Sequence, residues 1–415
     1  MQNKKIVKNT TMLYAMNIAK MIFPLITLPY LTRVLSVPGY GMVVYVKAIM
    51  QYMQLIVDFG FLLSGTKDIV LAGTNQDKIN KEVGNIFVAK LMLSVVAFLG
   101  LCCIIPFITI LKENILFVIL SYIVVFLTCF LMDFFFRGIE KMEVITIRFV
   151  IMRGIATLLT FFVVKDDSDL LWIPVLDIAG TIVAIVLVWY ELKKNEVKIK
   201  PEGIRPVLAK IKESAIYFFS DMATTAFNAL NTVLIGIYLD AVGVAFWGVC
   251  MQLIGAAQSL YTPITNGIYP HMVRTRDASL LKKTMIRFMP VVILGCIFTL
   301  FVAKYAIVII AGSKYVGASS TLKLLIPVLL FSFPSMLYGW PALGAIGRQK
   351  ETTITTVTSA CFQVALLIVL ITTNHFNLVT ISIARGCTEL VLFSLRFFLC
   401  KKYKSDFSIS KAAVE

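Results

Sequence analysis

Lys47, Gln51, Gln54 and Asp58 follow one another at steps of four, three and four residues within an otherwise apolar run. On a helix that spacing puts all four on one face. A row holding a cation, two amides and a carboxylate cannot touch lipid, and it offers a charged solute something to bind. Three further rows share this character. Tyr217, Asp221, Thr224, Asn228 and Asn231 keep steps of four, three, four and three. Asn17, Lys20, Pro24 and Thr27 form another, and Gln252, Gly255, Ser259, Thr262 and Asn266 the fourth. Hydrogen bonding between packed helices is the alternative use of such rows. It is the weaker one here, because the rows run for several turns and contain charges.

Charges at bilayer depth face a cavity, pair, or snorkel to the interface. Lys20 lies about nine residues into its apolar run, roughly 14 Å at the helical rise, which is deep for snorkelling. Arg153, Asp177, Asp221, Arg385 and Glu389 are also deep. Lys20, Lys47 and Arg153 make a basic lining for an anionic substrate, with Asn17, Gln51, Gln54, Asn228 and Asn231 as its amides. Asp58, Asp177, Asp221, Arg385 and Glu389 form the second set, for ion coupling or charge pairing. Arg385 and Glu389 are one turn apart and can neutralise each other. Asp221 has Lys20 as a candidate partner. A carboxyl of this set, with low dielectric around it and a cation nearby, is suited to a driving proton or cation. Lys90, Arg148 and Arg396 lie nearer the expected helix ends, where snorkelling accounts for them.

Little here suggests catalysis. The eight cysteines are scattered, with no CxxC or His/Cys spacing for a metal. No nucleophile elbow or phosphate-cradling glycine loop occurs. Asp166–Asp169 reads as a solvated loop, and His271 and His375 as solvated side chains. No catalytic residue, metal or cofactor is expected.

The elements that must position these rows are membrane helices. The 415 residues are 59% hydrophobic, with mean hydropathy +0.88. A span needs roughly 20 mostly apolar residues. Twelve such runs are predicted, at 11–33, 41–63, 85–106, 114–136, 145–164, 170–191, 214–238, 243–269, 287–310, 321–346, 352–373 and 377–400. The first is too long for a signal peptide and reads as a retained helix. The prolines at 24, 29, 263, 327, 334 and 341 are expected to bend their spans.

The net charge of +16 does not call for nucleic acid. Roughly 27 of the Lys and Arg fall on one side of the predicted spans, about 6 on the other and about 6 within them. That bias puts both termini in the cytoplasm, with the basic loops beside anionic lipid. The basic segment Lys193–Lys212 divides the chain. Residues 1–192 form a first set of six helices, 193–213 a cytoplasmic linker, 214–400 a second set, and 401–415 a tail. The two sets resemble each other. Leu35–Gly39 recurs as Leu239–Gly243 at an offset of about 204, and Gly138–Lys141 resembles Gly347–Lys350. The same offset maps Asn17 on Asp221, Lys20 on Thr224, Thr27 on Asn231 and Gln54 on Gln258. Two repeats of six spans insert with the same orientation and leave a central cleft between them.

Leu28-Pro-Tyr-Leu-Thr-Arg-Val-Leu35, Gly39-Tyr-Gly41 and Val57-Asp-Phe-Gly-Phe61 resemble the N-terminal signature of the bacterial polysaccharide transporter family, the Wzx-type flippases. Ala311-Gly-Ser-Lys-Tyr315 and Thr321-Leu-Lys-Leu-Leu325 resemble a second segment of it. The resemblance implies the fold of the multidrug/oligosaccharidyl-lipid/polysaccharide exporter superfamily, an all-α membrane protein with two six-helix lobes around a cavity. It implies, as substrate, undecaprenyl diphosphate carrying a sugar repeat unit of O-antigen, lipopolysaccharide or capsule. That cargo crosses the bacterial inner membrane to the outer leaflet by alternating access. A proton or sodium gradient would drive it, in place of any cofactor. A polysaccharide polymerase and chain-length regulator are the implied partners. Three other readings stand beside this one: a cation-coupled drug exporter of the same superfamily, a lipid II or spore-envelope flippase, and a membrane-embedded sugar polymerase or glycosyltransferase. Short outer loops count against an enzyme, and the mixed deep charges against a drug exporter.

Overall fold

A computed structural model describes residues 2–407, apart from the side chains of residues 2–7, 220, 224 and 226–228. Asn228, Thr224 and the last part of the tail therefore lie outside the described residues.

The first six spans are α1 (Gln2–Val34); α2 (Val37–Asp58) with α3 (Phe61–Ala72); α4 (Gln76–Ile104); α5 (Thr109–Glu113), α6 (Ile115–Leu127) and α7 (Asp133–Gly138); α8 (Met142–Val163); and α9 (Trp172–Lys194). The second six are α10 (Ile204–Tyr238); α11 (Ala241–Ser259) with α12 (Thr262–Thr275); α13 (Ala278–Ala311); α14 (Ala318–Leu324), α15 (Ile326–Leu337) and a π-turn at Tyr338–Gly344; α16 (Gln349–Thr372); and α17 (Leu378–Lys402). Among the described residues, ten segments are long and apolar enough to cross a membrane. α2 and α10, which carry two of the polar rows, complete the twelve.

The caps repeat the offset seen in the loops. Ser36 caps α2 by accepting from the Gly39 N–H at 3.0 Å. Asp240 caps α11 by accepting from the Gly243 N–H at 2.6 Å. Each cap satisfies an orphan donor and fixes where the helix starts.

Four of the expected spans are interrupted. Span 2 turns at Phe59 and Gly60, both left-handed at φ 40° and 76°. Span 4 turns at Met132, φ 49°. Span 8 breaks between α11 and α12, where Pro263 begins the new helix. Span 10 breaks twice, at Leu325 ahead of Pro327 and again at Gly339, where ψ of −115° leaves the helical region beside Pro341. Pro24 and Pro29 lie inside α1, which runs on through them.

The chain forms two compact units, 1–225 and 226–415, divided within α10. In the first, α8 packs along α9 and α1 along α8. Phe61, Ile86, Phe134, Phe135, Phe136 and Val188 lie at its core. In the second, α17 packs between α15 and α16, and Leu337, Leu343 and Ile346 close the end near the π-turn. The segment 193–212 is not a free linker throughout. α9 runs on to Lys194 and α10 already starts at Ile204, leaving 195–203 as the non-helical piece.

Candidate functional site

On α2, burial separates by residue type. Its aromatic and aliphatic residues are buried or half-buried, and the only exposed positions are Pro38, Lys47 and Gln51. A helix turned to acyl chains exposes leucine and isoleucine; this one exposes a lysine and an amide, so its open face adjoins a polar space. Gln54 and Asp58 continue that face, half-buried. α1 has two exposed faces. Tyr14, Ile18, Ile22 and Ile26 line one. Asn17, Lys20 and Pro24 line the other, on the far side of the helix. Between them α1 is pinned to α8: Thr146 donates to the Met12 carbonyl at 2.9 Å, and the Tyr30 hydroxyl to the Phe161 and Val164 carbonyls at 2.9 and 2.7 Å.

Lys47 lies within electrostatic reach of Asp177 and Arg153. Those two form an ion pair at 3.1 Å between α9 and α8. Arg153 is thus matched by a carboxylate, while Lys47 has no ion-pair partner among the described residues. Lys20 sits over the Phe149 ring, 5.6 Å from its centroid, and senses Asp133, Arg148 and Arg137.

Asp58 is the centre of a cross-helix network. Lys90 donates to its Oδ1 at 2.9 Å and Gln54 to its Oδ2 at 2.7 Å. Gln54 also donates to Thr128 at 3.0 Å. The charge that Asp221 senses is Asp58, a second carboxylate. The expected Asp221–Lys20 pair does not form.

Snorkelling is not how the other cations are accommodated. Lys90 is buried and bonded to Asp58. Arg148, also buried, grips Asp133 through Nε at 2.9 Å and through Nη2. Arg396 donates to the Ser335 carbonyl at 2.9 Å and to Thr356 at 3.1 Å, filling the bend at Gly339. Each charge has a fixed partner in the protein, so none needs the interface.

The second unit repeats the frame without the charges. Gln258 donates to Ser332 at 3.0 Å, the counterpart of the Gln54–Thr128 bond, with the same 74-residue separation. The one exposed position in α11 is Gly255, the counterpart of Gln51. Asn231 is buried and does not line an open space; its Nδ2 has no hydrogen-bond partner among the described residues. Arg385 and Glu389 form a buried pair at 2.9 Å.

Sequence reasoning did not select Lys90, Thr128, Asp133 or Phe149. Lys90 carried a signal in Asn75, whose side chain caps α4 and starts it at Gln76, well before the apolar run. Lys90 is therefore mid-helix. Thr128 was signalled by its equivalence to Ser332 under the repeat offset.

Fold and site together define a twelve-helix membrane protein built from two repeats, with its polar face richest in charge in the first. Solved structures of that fold include the lipid II flippase MurJ in an inward closed conformation (TM-score 0.73, 13% identity, 96% of this chain and 89% of that one). An inward-facing multidrug resistance MATE family transporter of the MOP superfamily gives TM-score 0.66 at 14% identity over 96% of each chain. The chain belongs to the polysaccharide biosynthesis protein family, whose profile matches residues 6–276. Two curated relatives share the name "Putative O-antigen transporter". The Shigella dysenteriae protein is 27% identical over 83% of this chain and 87% of its own. That of Escherichia coli K12 is 23% identical over 92% and 94%.

Proposed function

We propose that the protein is a flippase for undecaprenyl-diphosphate-linked oligosaccharide repeat units of the O-antigen or capsular kind. It moves them from the cytoplasmic to the outer leaflet of the bacterial inner membrane by alternating access, with both termini cytoplasmic. The observation that carries this reading is the open face of α2, where a membrane helix exposes Lys47 and Gln51 in place of aliphatic side chains. A diphosphate entering low dielectric needs fixed positive charge to replace its hydration. Lys47 supplies it without a carboxylate partner, and Lys20 offers a second cation on the polar face of α1. The amides of Gln51, Gln54 and Asn17 are suited to sugar hydroxyls. The names of the curated relatives support the class of cargo.

Directional transport requires an ion that distinguishes the two access states. A proton or sodium ion binding near Asp58, which holds the Lys90 ammonium, and its neighbouring carboxylate Asp221 would do this. A polymerase and chain-length regulator then receive the exported units.

The test is complementation of a strain lacking its own repeat-unit flippase, read as surface glycan. Lys47→Ala should lower glycan at least tenfold at equal protein level, and Lys20→Ala/Lys47→Ala should abolish it. Wild-type glycan in the double variant would remove the basic lining from the mechanism. Collapsing the proton and sodium gradients one at a time should stop export in one case.

A further inference from the structure

We infer that residues 208–218 form a latch, zipped onto α3 and α4 by exchangeable polar contacts, that must unzip in each transport cycle; this rests on the transport reading above.

The first part of α10 meets α3 in antiparallel register, one contact per turn. Phe218 stacks on Phe59 with ring centroids 4.4 Å apart. A Cβ at Gly60 would lie only 2.5 Å from that of Tyr217, so the backbones touch there. One turn on, the Ser64 and Ser214 hydroxyls are 2.7 Å apart. One turn further, Lys210 lies 2.8 Å from both Asp68 and Glu82, and Lys67 lies 3.7 Å from Glu213. Burial disfavours the Lys210 ammonium, yet Asp68 and Glu82 hold its pKa above the ordinary lysine value. Residues 195–207 are the fixed base of the latch across α4, with Val207 in the apolar core and Val197 and Ile199 packed against it. The Lys198 and Glu202 N–H groups donate to Asn80 and Asn85 at 2.8 and 2.9 Å. Gln76 donates to the Glu196 carbonyl at 3.0 Å. The crossing needs Gly84, where a Cβ would meet Lys200 at 2.6 Å.

Two observations make this a latch rather than a permanent seam. The first is chemical. Along 208–218, apart from the Phe59–Phe218 stack, the Gly60–Tyr217 approach and Ile211 against the core, the contacts are hydroxyl and ion-pair contacts, and water can replace each of them. Freeing that stretch leaves Val197, Ile199 and Val207 in the apolar core. The second is the repeat. The offset of about 204 makes α10 the counterpart of α1, which is bonded along α8 of its own repeat from Lys8–Glu143 at 3.0 Å to Tyr30–Phe161 at 2.9 Å. The leading half of α10 instead bonds to α3 and α4 of the preceding repeat. One continuous helix thus starts on the first unit and ends in the second.

The test is Ser64→Cys/Ser214→Cys. The hydroxyl separation places the two sulfurs near the roughly 2 Å of a disulfide. In membrane vesicles, oxidation should cross-link the pair and lower transport of the lipid-linked oligosaccharide at least tenfold, and reduction of the same vesicles should restore it. Undiminished transport by fully cross-linked protein would overturn the latch. Ser64→Cys alone gives a readout that needs no transport. Position 64 is buried, so a water-soluble maleimide should modify the introduced thiol slowly, and several-fold faster when Lys210→Met is added. Mass spectrometry of the peptide separates it from the native cysteines. A thiol at position 64 that stays unreactive with and without Lys210→Met means a fixed seam. If wild-type protein moves no oligosaccharide while the thiol of Ser64→Cys still reacts as described, the transport reading fails and the latch stands.

Discussion

Lys90 reaches Asp58 from a helix 32 residues away, and its burial makes the pair a commitment rather than an ornament. Leaving a fully buried charge unpaired costs about 3–5 kcal/mol; loss of Lys90 costs less than that, because the Asp58 carboxylate is half exposed and keeps its bond from Gln54. Lys90→Met should therefore lower the melting temperature in detergent by several degrees. Lys90→Met/Asp58→Asn should recover most of the loss, since the amide can keep its bond to Gln54. A double variant no more stable than the single one would show that Lys90 holds the helices by packing and not by charge. The pair also shows what a sequence hides at this scale. The polar rows on α1 and α2 were legible because helical period sorts residues along one element. Which cation meets which carboxylate was not, because Lys90–Asp58, Arg148–Asp133 and Arg153–Asp177 each join different helices. Lys90 was assigned to a helix end only because the apolar run starts later than the helix does.

At the scale of elements, caps and breaks decide where each helix begins. Asp277 caps α13 by accepting from the Ser279 N–H at 2.8 Å. Its pKa is held below the ordinary aspartate value by hydrogen bonds from the Ser279 hydroxyl and N–H. A carboxyl depressed in the folded state adds stability above its unfolded pKa, and that stability is lost as pH falls through the folded pKa. At neutral pH, Asp277→Ala should cost about 1 kcal/mol locally. Amides at the start of α13 should then exchange about fivefold faster. Below the folded pKa, variant and wild type should exchange alike; a gap that persists in acid would mean the cap is not electrostatic. Existence and order of the spans were readable from hydropathy, and so was the offset between repeats, because the loops and polar rows punctuate both halves alike. The interruptions at Phe59–Gly60 and Met132 were not readable. A left-handed phenylalanine or methionine has no signature in composition, and tertiary packing has to impose it.

At the scale of the whole molecule, the repeats share a frame but differ in charge. Gln54–Thr128 and Gln258–Ser332 are the same bond in each unit, whereas Asp58, Lys90 and Lys47 have Thr262, Leu294 and Met251 as counterparts. Deep charge in the second unit is mostly closed upon itself: Arg385 and Glu389 lie on one helix, buried, within 2.9 Å. If chemistry with the cargo and the driving ion resides in the first unit, this pair is structural. A buried pair can be exchanged for apolar residues of similar volume at little or no loss of stability, while breaking it costs about 3–5 kcal/mol. Arg385→Met/Glu389→Leu should therefore keep full glycan export and an unchanged melting temperature. Glu389→Leu alone should melt earlier and reach the membrane in smaller amounts, yet export normally per molecule. Loss of export by a stable double variant would put the coupling ion in the second unit and make Glu389 its ligand. The same loss with Asp58→Asn still active would reverse the assignment of roles between the repeats.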